Sequence, residues 1–365
     1  MNPVVMLSGI TNVTMALISA YMIFSFLRVL KGYRKLPTPD LRCNKRISVI
    51  IPARNEEGRI SSAIRSVLKQ IGPRDELIVV DDGSTDETFE EALASCNERC
   101  AIIKLLYKPE GWTGKSWACY HGYLHSNGDV LIFLDADTVL HGGLREACSL
   151  LEKYDAVSQL PRIRCDSLAC GAVEIAFTSL LRLTYPYWDM SPGKAWLAGA
   201  FMGWKRESYE AVGTHKAVKE SLVEDASLGR LASHMGLRIT FFKGKFAESK
   251  WISKWGEAVN TLARIFKAGA PRSIYAYLLM GIFTYISALV YASPLLGLVG
   301  LANPLLSLLF MISIYGYASL SFIEVRASPI SLVLAPVGLV LMGVALVKAS
   351  RGSDIEWKGR EARES

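Results

Sequence analysis

Two kinds of apolar patterning divide this chain. At its ends the apolar positions run unbroken, with no charge before Arg28 and none between Arg272 and Glu324. In the middle, short apolar runs alternate with amphipathic stretches. Val4–Leu27 is long enough to cross a bilayer, which takes about 20 residues. Ser273–Ile323, interrupted by Pro294 and by the Ala302-Asn303-Pro304 turn, holds about two further spans, and Ala327–Val347 adds one more. Between these blocks Ile47–Pro52 reads as a strand, Glu57–Lys69 as a helix, Glu76–Asp81 as a strand and Glu87–Ser95 as a helix. Ala101–Tyr107, Gly114–His125 and Asp129–Leu134 continue the alternation as strand, helix and strand. Val/Ile-rich strands covered on both faces by helices predict an α/β fold with a mostly parallel sheet. Further on, Ser167–Tyr185 reads as a helix too charged for a span and suited to the membrane interface. Trp196–Trp204 reads as a strand and Leu222–Ser233 as a helix. Ser253–Lys267, with Trp251 and Trp255 near its start, has the amphipathic composition of a segment at a membrane surface.

The expected organisation is therefore a transmembrane anchor (1–30), a globular domain (45–250), an amphipathic interfacial segment (251–272), a carboxyl-terminal transmembrane region (273–349) and a basic tail (350–365). Of the 365 residues 51% are hydrophobic and 21% charged, which excludes a disordered chain or a coiled coil. Lys+Arg 41 against Asp+Glu 34 gives +7, too small and scattered an excess for a nucleic-acid partner. Much of it lies in Arg28, Lys31, Arg34, Lys35, Arg42, Lys45 and Arg46. A basic cluster behind the first span predicts an outside amino terminus and a cytosolic globular domain in a multi-pass protein of the cell membrane. Three more spans would put the tail outside, whereas its Lys348, Arg351, Lys358, Arg360 and Arg363 favour the cytosol, so one of those segments is open to a re-entrant or in-plane reading. The 7 cysteines contain no Cys-x-x-Cys and are expected to be reduced thiols.

In an open parallel sheet, ligands sit at the carboxyl ends of the strands. The polar clusters fall there: Pro52-Ala53-Arg54-Asn55-Glu56, Asp81-Asp82-Gly83-Ser84 and Asp135-Ala136-Asp137. Two carboxylates two residues apart beyond a strand can hold Mg²⁺ or Mn²⁺ together with substrate phosphates, although a solvated turn explains such a pair equally well when it stands alone. After Asp81 and Asp82, Thr85 or Asp86 is expected to cap the next helix. Capping covers part of that motif, but two consecutive acids exceed what a cap requires. Arg54 is placed to meet a nucleotide. Gly111-Trp112-Thr113-Gly114-Lys115-Ser116-Trp117 lacks P-loop spacing, yet puts Lys115 near a helix N-terminus as a phosphate partner. Glu224-Asp225 falls in a helix's first turn, where acids contribute about 0.3–1 kcal/mol whatever else they do. His121 and His125 lack the intervening glutamate of a zinc site and read as helix-surface residues.

These motifs in this order resemble glycosyltransferase family 2, the inverting nucleotide-sugar enzymes of GT-A fold, over about residues 45–270. The Gly-Trp-Thr-Gly-Lys-Ser-Trp-Ala run and Trp357-Lys358-Gly359-Arg360 resemble its membrane-bound subgroup that glycosylates hopanoids, carotenoids and ceramides. The resemblance implies a GT-A Rossmann-like sheet with transmembrane helices at both ends. It implies a nucleotide-sugar site at Pro52, Arg54, Glu56, Asp81, Asp82, Lys115 and Asp135, with Asp81 or Asp82 on the nucleoside. Asp135 and Asp137 become the metal motif, Asp137 the preferred direct ligand, and Asp225 the general base. The implied partners are a UDP- or GDP-sugar and a membrane lipid acceptor of polyprenyl phosphate, hopanoid, carotenoid or glycolipid type. The Gln-x-x-Arg-Trp motif of many relatives is missing between Ser249 and Trp255, which argues against a processive polysaccharide synthase and leaves Lys250, Lys254 and Arg264 as candidates for the diphosphate clamp. Two competing readings are a metal-dependent nucleotidyltransferase, whose Gly-rich loop is absent at Pro52–Glu56, and a catalytically idle membrane scaffold.

Overall fold

In the computed structural model, residues 3–192, 194–250, 254–267, 273–351, 356–357 and 360–361 are described, so Trp251, the start of the amphipathic segment and most of the basic tail lie outside the described residues. The chain divides into two compact units.

The first unit comprises Lys35–Ile163 and Tyr187–Trp251 with the carboxyl-terminal residues. Its strands are β1 (Ile47–Ala53), β2 (Glu76–Asp81), β3 (Cys100–Lys104), β4 (Val130–Phe133), β5 (Thr138–Leu140), β6 (Ala156–Ser158), β7 (Arg162–Arg164), β8 (Met202–Lys205), β9 (Ile239–Phe241) and β10 (Ala247–Ser249). Seven form one sheet in the order β3-β2-β1-β4-β8-β6-β9. β1 pairs in parallel with β2 and β4, and β2 with β3, while β8 runs antiparallel to both β4 and β6. Alternation along the strands explains the continuous apolar runs. Ile47, Val49 and Ile51 enter one core with Val130 and Ile132, and Ile50 enters the other with Leu131 and Phe133. Both faces are covered, so both parities must be apolar. β5 and β10 pair antiparallel in a second, smaller sheet.

Three expectations are corrected here. The strand expected at Trp196–Trp204 is confined to β8. Ala195, Leu197 and Ala198 are buried in irregular chain instead, tied down by the Ala198 N–H to Ser158 Oγ bond of 2.9 Å. The Ala327–Val347 span is a helix over Ile330–Ser350. And six of the seven cysteines lie close together in pairs, Cys43 with Cys148, Cys96 with Cys100 and Cys165 with Cys170, a proximity that the expectation of separate thiols did not include. The fold brings their Cα atoms to 5.8, 5.2 and 5.3 Å, within disulfide range, without any motif spacing.

The second unit comprises Met1–Arg34, Arg164–Pro186 and Ile252–Ser353. Among its described residues, four helices are long and apolar enough to cross a membrane: Val4–Lys35, Ser273–Leu298, Pro304–Ile323 and Ile330–Ser350. Small residues set their approach. A Cβ on Gly338 would lie 2.5 Å from the Ala172 carbonyl oxygen, and one on Gly343 would lie 2.8 Å from Met280 Cα. The Leu168–Thr184 helix, 17 residues long, carries the unit's charges inward. Arg182 donates to Glu324 at 2.6 Å and to Ser321 at 2.7 Å, all three buried. Glu174 is 1% exposed, and neither of its carboxylate oxygens has a partner among the described residues.

Candidate active site

The site is built where the sheet changes direction. From β1 the chain adds β2 and β3 on one side and then crosses to place β4 on the other. The carboxyl ends of β1 and β4 therefore flank a switch point, where such folds bind ligands. Pro52 from β1 and Asp135 from just beyond β4 line one cleft there, with Lys115, Gly199, His215 and Glu224.

Lys115 organises the charges. Thr113 caps the Gly114–Leu124 helix by accepting the Ser116 N–H at 3.2 Å, and Lys115 is the helix's second residue. Its Nζ lies 2.7 Å from Asp135 Oδ1 and 2.8 Å from Glu224 Oε1. Burial lowers the affinity of this ammonium for its proton, but Asp135, Glu224 and Asp225 together outweigh that and hold it well above the usual lysine range. Burial raises the Glu224 carboxyl above its usual range against the opposing pull of Lys115, and the neighbouring Asp225 and Asp135 add to the rise. Asp225 is anchored at both oxygens: Oδ2 accepts the Gly199 N–H at 2.6 Å and Oδ1 the Ala226 N–H at 2.7 Å. The Glu224–His234 helix that carries both acids is seated closely. A Cβ on Gly229 would lie 2.7 Å from Trp196 Cα and 2.8 Å from the Leu197 nitrogen.

The remaining predicted residues gather beside β1 and β2. Ala53 pairs with Asp81, and the Asp82 N–H donates to the Ala53 carbonyl at 2.9 Å. Arg54 Nη1 donates to the Asp82 and Gly83 carbonyls at 2.5 and 2.9 Å, so part of its role is to hold the loop that carries the acids. Asp81 Oδ1 accepts from Ser84, while its buried Oδ2 has no partner among the described residues. The Glu56 N–H donates to Thr88 Oγ1 at 2.6 Å. The expected cap shifts by a residue: Glu87 holds the N-cap position, while Asp86 accepts the Thr88 N–H at 3.2 Å. Asp137 follows Asp135 in a turn closed by the Thr138 N–H to Asp135 carbonyl bond of 3.0 Å, and it is half-buried.

For a divalent ion the donor set fits in chemistry: Asp135 and Asp137 offer hard oxygens at a strand end. Among the described residues no three His, Cys, Asp or Glu side chains form a ready cage, so an ion there needs oxygens from its substrate. Cys119, the unpaired cysteine, lines the same cleft, and burial pushes its thiol well above the usual range, which leaves it protonated and inert. His215 also lines the cleft, although it lies 80 residues beyond Asp135 and belongs to none of the sequence motifs. No spacing rule connects it to the motifs. Of the clamp candidates, Lys254 and Arg264 belong to the helical unit, where the Lys254 N–H meets Glu257 at 3.3 Å.

Three comparisons bear on this arrangement. The family model described as Glycosyl transferase family 2 matches residues 48–189. A 4,4'-diaponeurosporenoate glycosyltransferase of Staphylococcus aureus (strain MRSA252) is 30% identical over 212 residues, 55% of this chain and 55% of that protein. Its counterpart from strain N315 is 29% identical over 244 residues, 64% of this chain and 62% of the other. The chain thus matches only a little over half the length of these curated relatives. A mannosyltransferase from Pyrobaculum calidifontis, solved in complex with GDP-Man and Mn²⁺, superposes with a TM-score of 0.56 at 18% identity, covering 94% of this chain and 98% of that one. That likeness, with the mostly parallel sheet, bears out the expected GT-A fold.

Proposed function

We propose, from the match of residues 48–189 to the Glycosyl transferase family 2 model, that this chain transfers a sugar from a UDP- or GDP-sugar to a hydroxyl of a membrane lipid, with inversion at the anomeric carbon. The observation that carries this reading is the Lys115 ammonium, which joins Asp135 at one strand end to Glu224 at the start of the acidic helix. The two acidic motifs thus share one cleft, with Asp225 directed at Gly199 on its wall. An inverting transfer needs a carboxylate across the sugar from the leaving diphosphate. Asp225 fills that role: as the acceptor oxygen bonds to the anomeric carbon and the bond to the diphosphate breaks, the acceptor's proton passes to its carboxylate. Such a base contributes about 10²–10⁴-fold. Asp135 and Asp137 would hold Mg²⁺ or Mn²⁺, with Asp137 as direct ligand; when bound, the ion neutralises charge on the diphosphate. Asp81 and Asp82 face the nucleoside, with Arg54, Glu56 and Pro52 shaping that side. The four candidate spans support a lipid acceptor and a multi-pass protein whose 45–250 domain lies in the cytosol, tethered by 1–30, 251–272 and 273–349.

Membranes containing the protein are incubated with labelled UDP- and GDP-sugars and Mn²⁺. Release of nucleoside diphosphate with a labelled lipid is expected. Pyrophosphate release would identify a nucleotidyltransferase, and no turnover of any nucleotide-sugar would leave the idle scaffold. Asp225→Asn should lower transfer by at least about 10²-fold with the thermal midpoint retained. An undiminished rate would remove Asp225 as the base.

A further inference from the structure

His215 is fully buried, whereas His121, His125, His141 and His234 are not. It opens the short 3-10 turn His215–Val218, directly after Thr214, a β-branched residue held at φ +60°. Its ring is fixed from one side. The His215 backbone N–H donates to Tyr209 Oη at 3.0 Å, and the same hydroxyl lies 2.6 Å from His215 Nδ1. Tyr209 Oη makes no further hydrogen bond among the described residues, so the assignment that satisfies its hydrogen gives it to Nδ1, which makes Nδ1 an acceptor and puts the ring hydrogen on Nε2. Burial, with Lys115 second, pushes the ring's pKa down to about 3, so the imidazole is neutral. Nε2 has no hydrogen-bond partner among the described residues, and His215 lines the cleft that holds Lys115, Asp135 and Glu224.

A buried donor left without a partner destabilises the fold that holds it. Its persistence beside the acids calls for a ligand that accepts. A sugar hydroxyl suits such walls because it accepts from one group while donating to another; Asp135 and Glu224 accept, and His215 donates. We propose that His215 is a binding residue for the transferred sugar: Nε2–H donates to a sugar hydroxyl oxygen, and carboxylates of the same cleft take that sugar's hydroxyl hydrogens. This rests on the glycosyltransferase reading above.

The test separates the sugar from the nucleotide. Purified full-length protein with Mn²⁺ is titrated with UDP- and GDP-sugars and with the matching nucleoside diphosphates. His215→Asn keeps an acceptor for Tyr209 but has no atom at the Nε2 position, whereas His215→Gln reaches that position with an N–H. We expect His215→Asn to weaken binding of the nucleotide-sugar roughly tenfold while leaving nucleoside diphosphate binding and the melting temperature unchanged. His215→Gln should recover part of the loss. If His215→Asn binds both ligands as the wild type does, or loses both equally, the role of His215 is overturned and the transferase reading stands wherever the wild type still transfers sugar. If the wild type itself binds no nucleotide-sugar, both fall together.

Discussion

At the scale of single residues, the site depends on how many charges meet one ammonium. Lys115 holds Asp135 and Glu224 within 2.8 Å of its Nζ and feels Asp225 as well, so a displacement of any one of them reaches the others. Gly199 tests this coupling. A Cβ there would lie 2.7 Å from Lys115 Nζ, the end of a long side chain, and 2.9 Å from Asp225 Oδ2, so it meets side-chain atoms rather than backbone. Gly199→Ala should therefore fold with a thermal midpoint near that of the wild type but transfer sugar about 10²-fold more slowly, the usual consequence of small misplacement at a reacting centre. A wild-type rate in steady-state assays would show that the Lys115–Asp225 arrangement is not needed. Asp81, Asp82, Asp135 and Asp225 could be singled out as candidates from the sequence because acids at strand and helix ends stand out against the apolar runs before them. His215 was not, because its significance lies in a bond to Tyr209 and in a cleft assembled from segments as far apart as Pro52 and Glu224.

At the scale of elements, the β1, β2 and β4 strands were read closely because their two-sided burial leaves unbroken Val/Ile runs. The Trp196–Trp204 stretch misled for the same reason. Periodicity reports burial, and buried irregular chain gives the same pattern as a short strand. The cysteine pairs left no pattern at all, since Cys96 ends one helix and Cys100 opens β3. The Leu168–Thr184 helix carries its own prediction. Burial alone raises the Glu174 carboxyl from 4.5 to about 8. Between those values the folded protein keeps a proton that the unfolded chain has released, so the folded state loses stability as pH rises through that window and is relatively most stable below it. In thermal scans of detergent-solubilised protein from pH 5 to 9, the wild-type midpoint should fall with pH relative to Glu174→Gln. Parallel profiles for the two proteins would place an unseen partner on Glu174.

At the scale of the whole molecule, composition alone separated membrane segments from a globular domain, and among the described residues four helices of spanning length answer to it. Hydropathy reads such segments well because apolar length is the quantity it sums; it placed the Ile330–Ser350 helix three residues early because Arg326 and Lys348 bound the apolar run, whereas the helix starts after Pro329 and continues through Lys348. The basic residues Arg28, Lys31, Arg34 and Lys35, at the end of the first helix, are the basis for the proposed cytosolic placement of the sheet-bearing unit. Trypsin should consequently digest the 45–250 region in inside-out vesicles and spare it in right-side-out vesicles. The reverse pattern would place the domain outside, in agreement with its cysteine pairs.

Gly229 has a mechanical consequence. With backbone touching backbone at Trp196 and Leu197, the acidic helix and the loop leading to Gly199 cannot slide past each other without separating. They travel as one plate. Any breathing of the cleft that admits a substrate must come from its other walls, so Asp225, the proposed proton acceptor, keeps its aim while the opening changes.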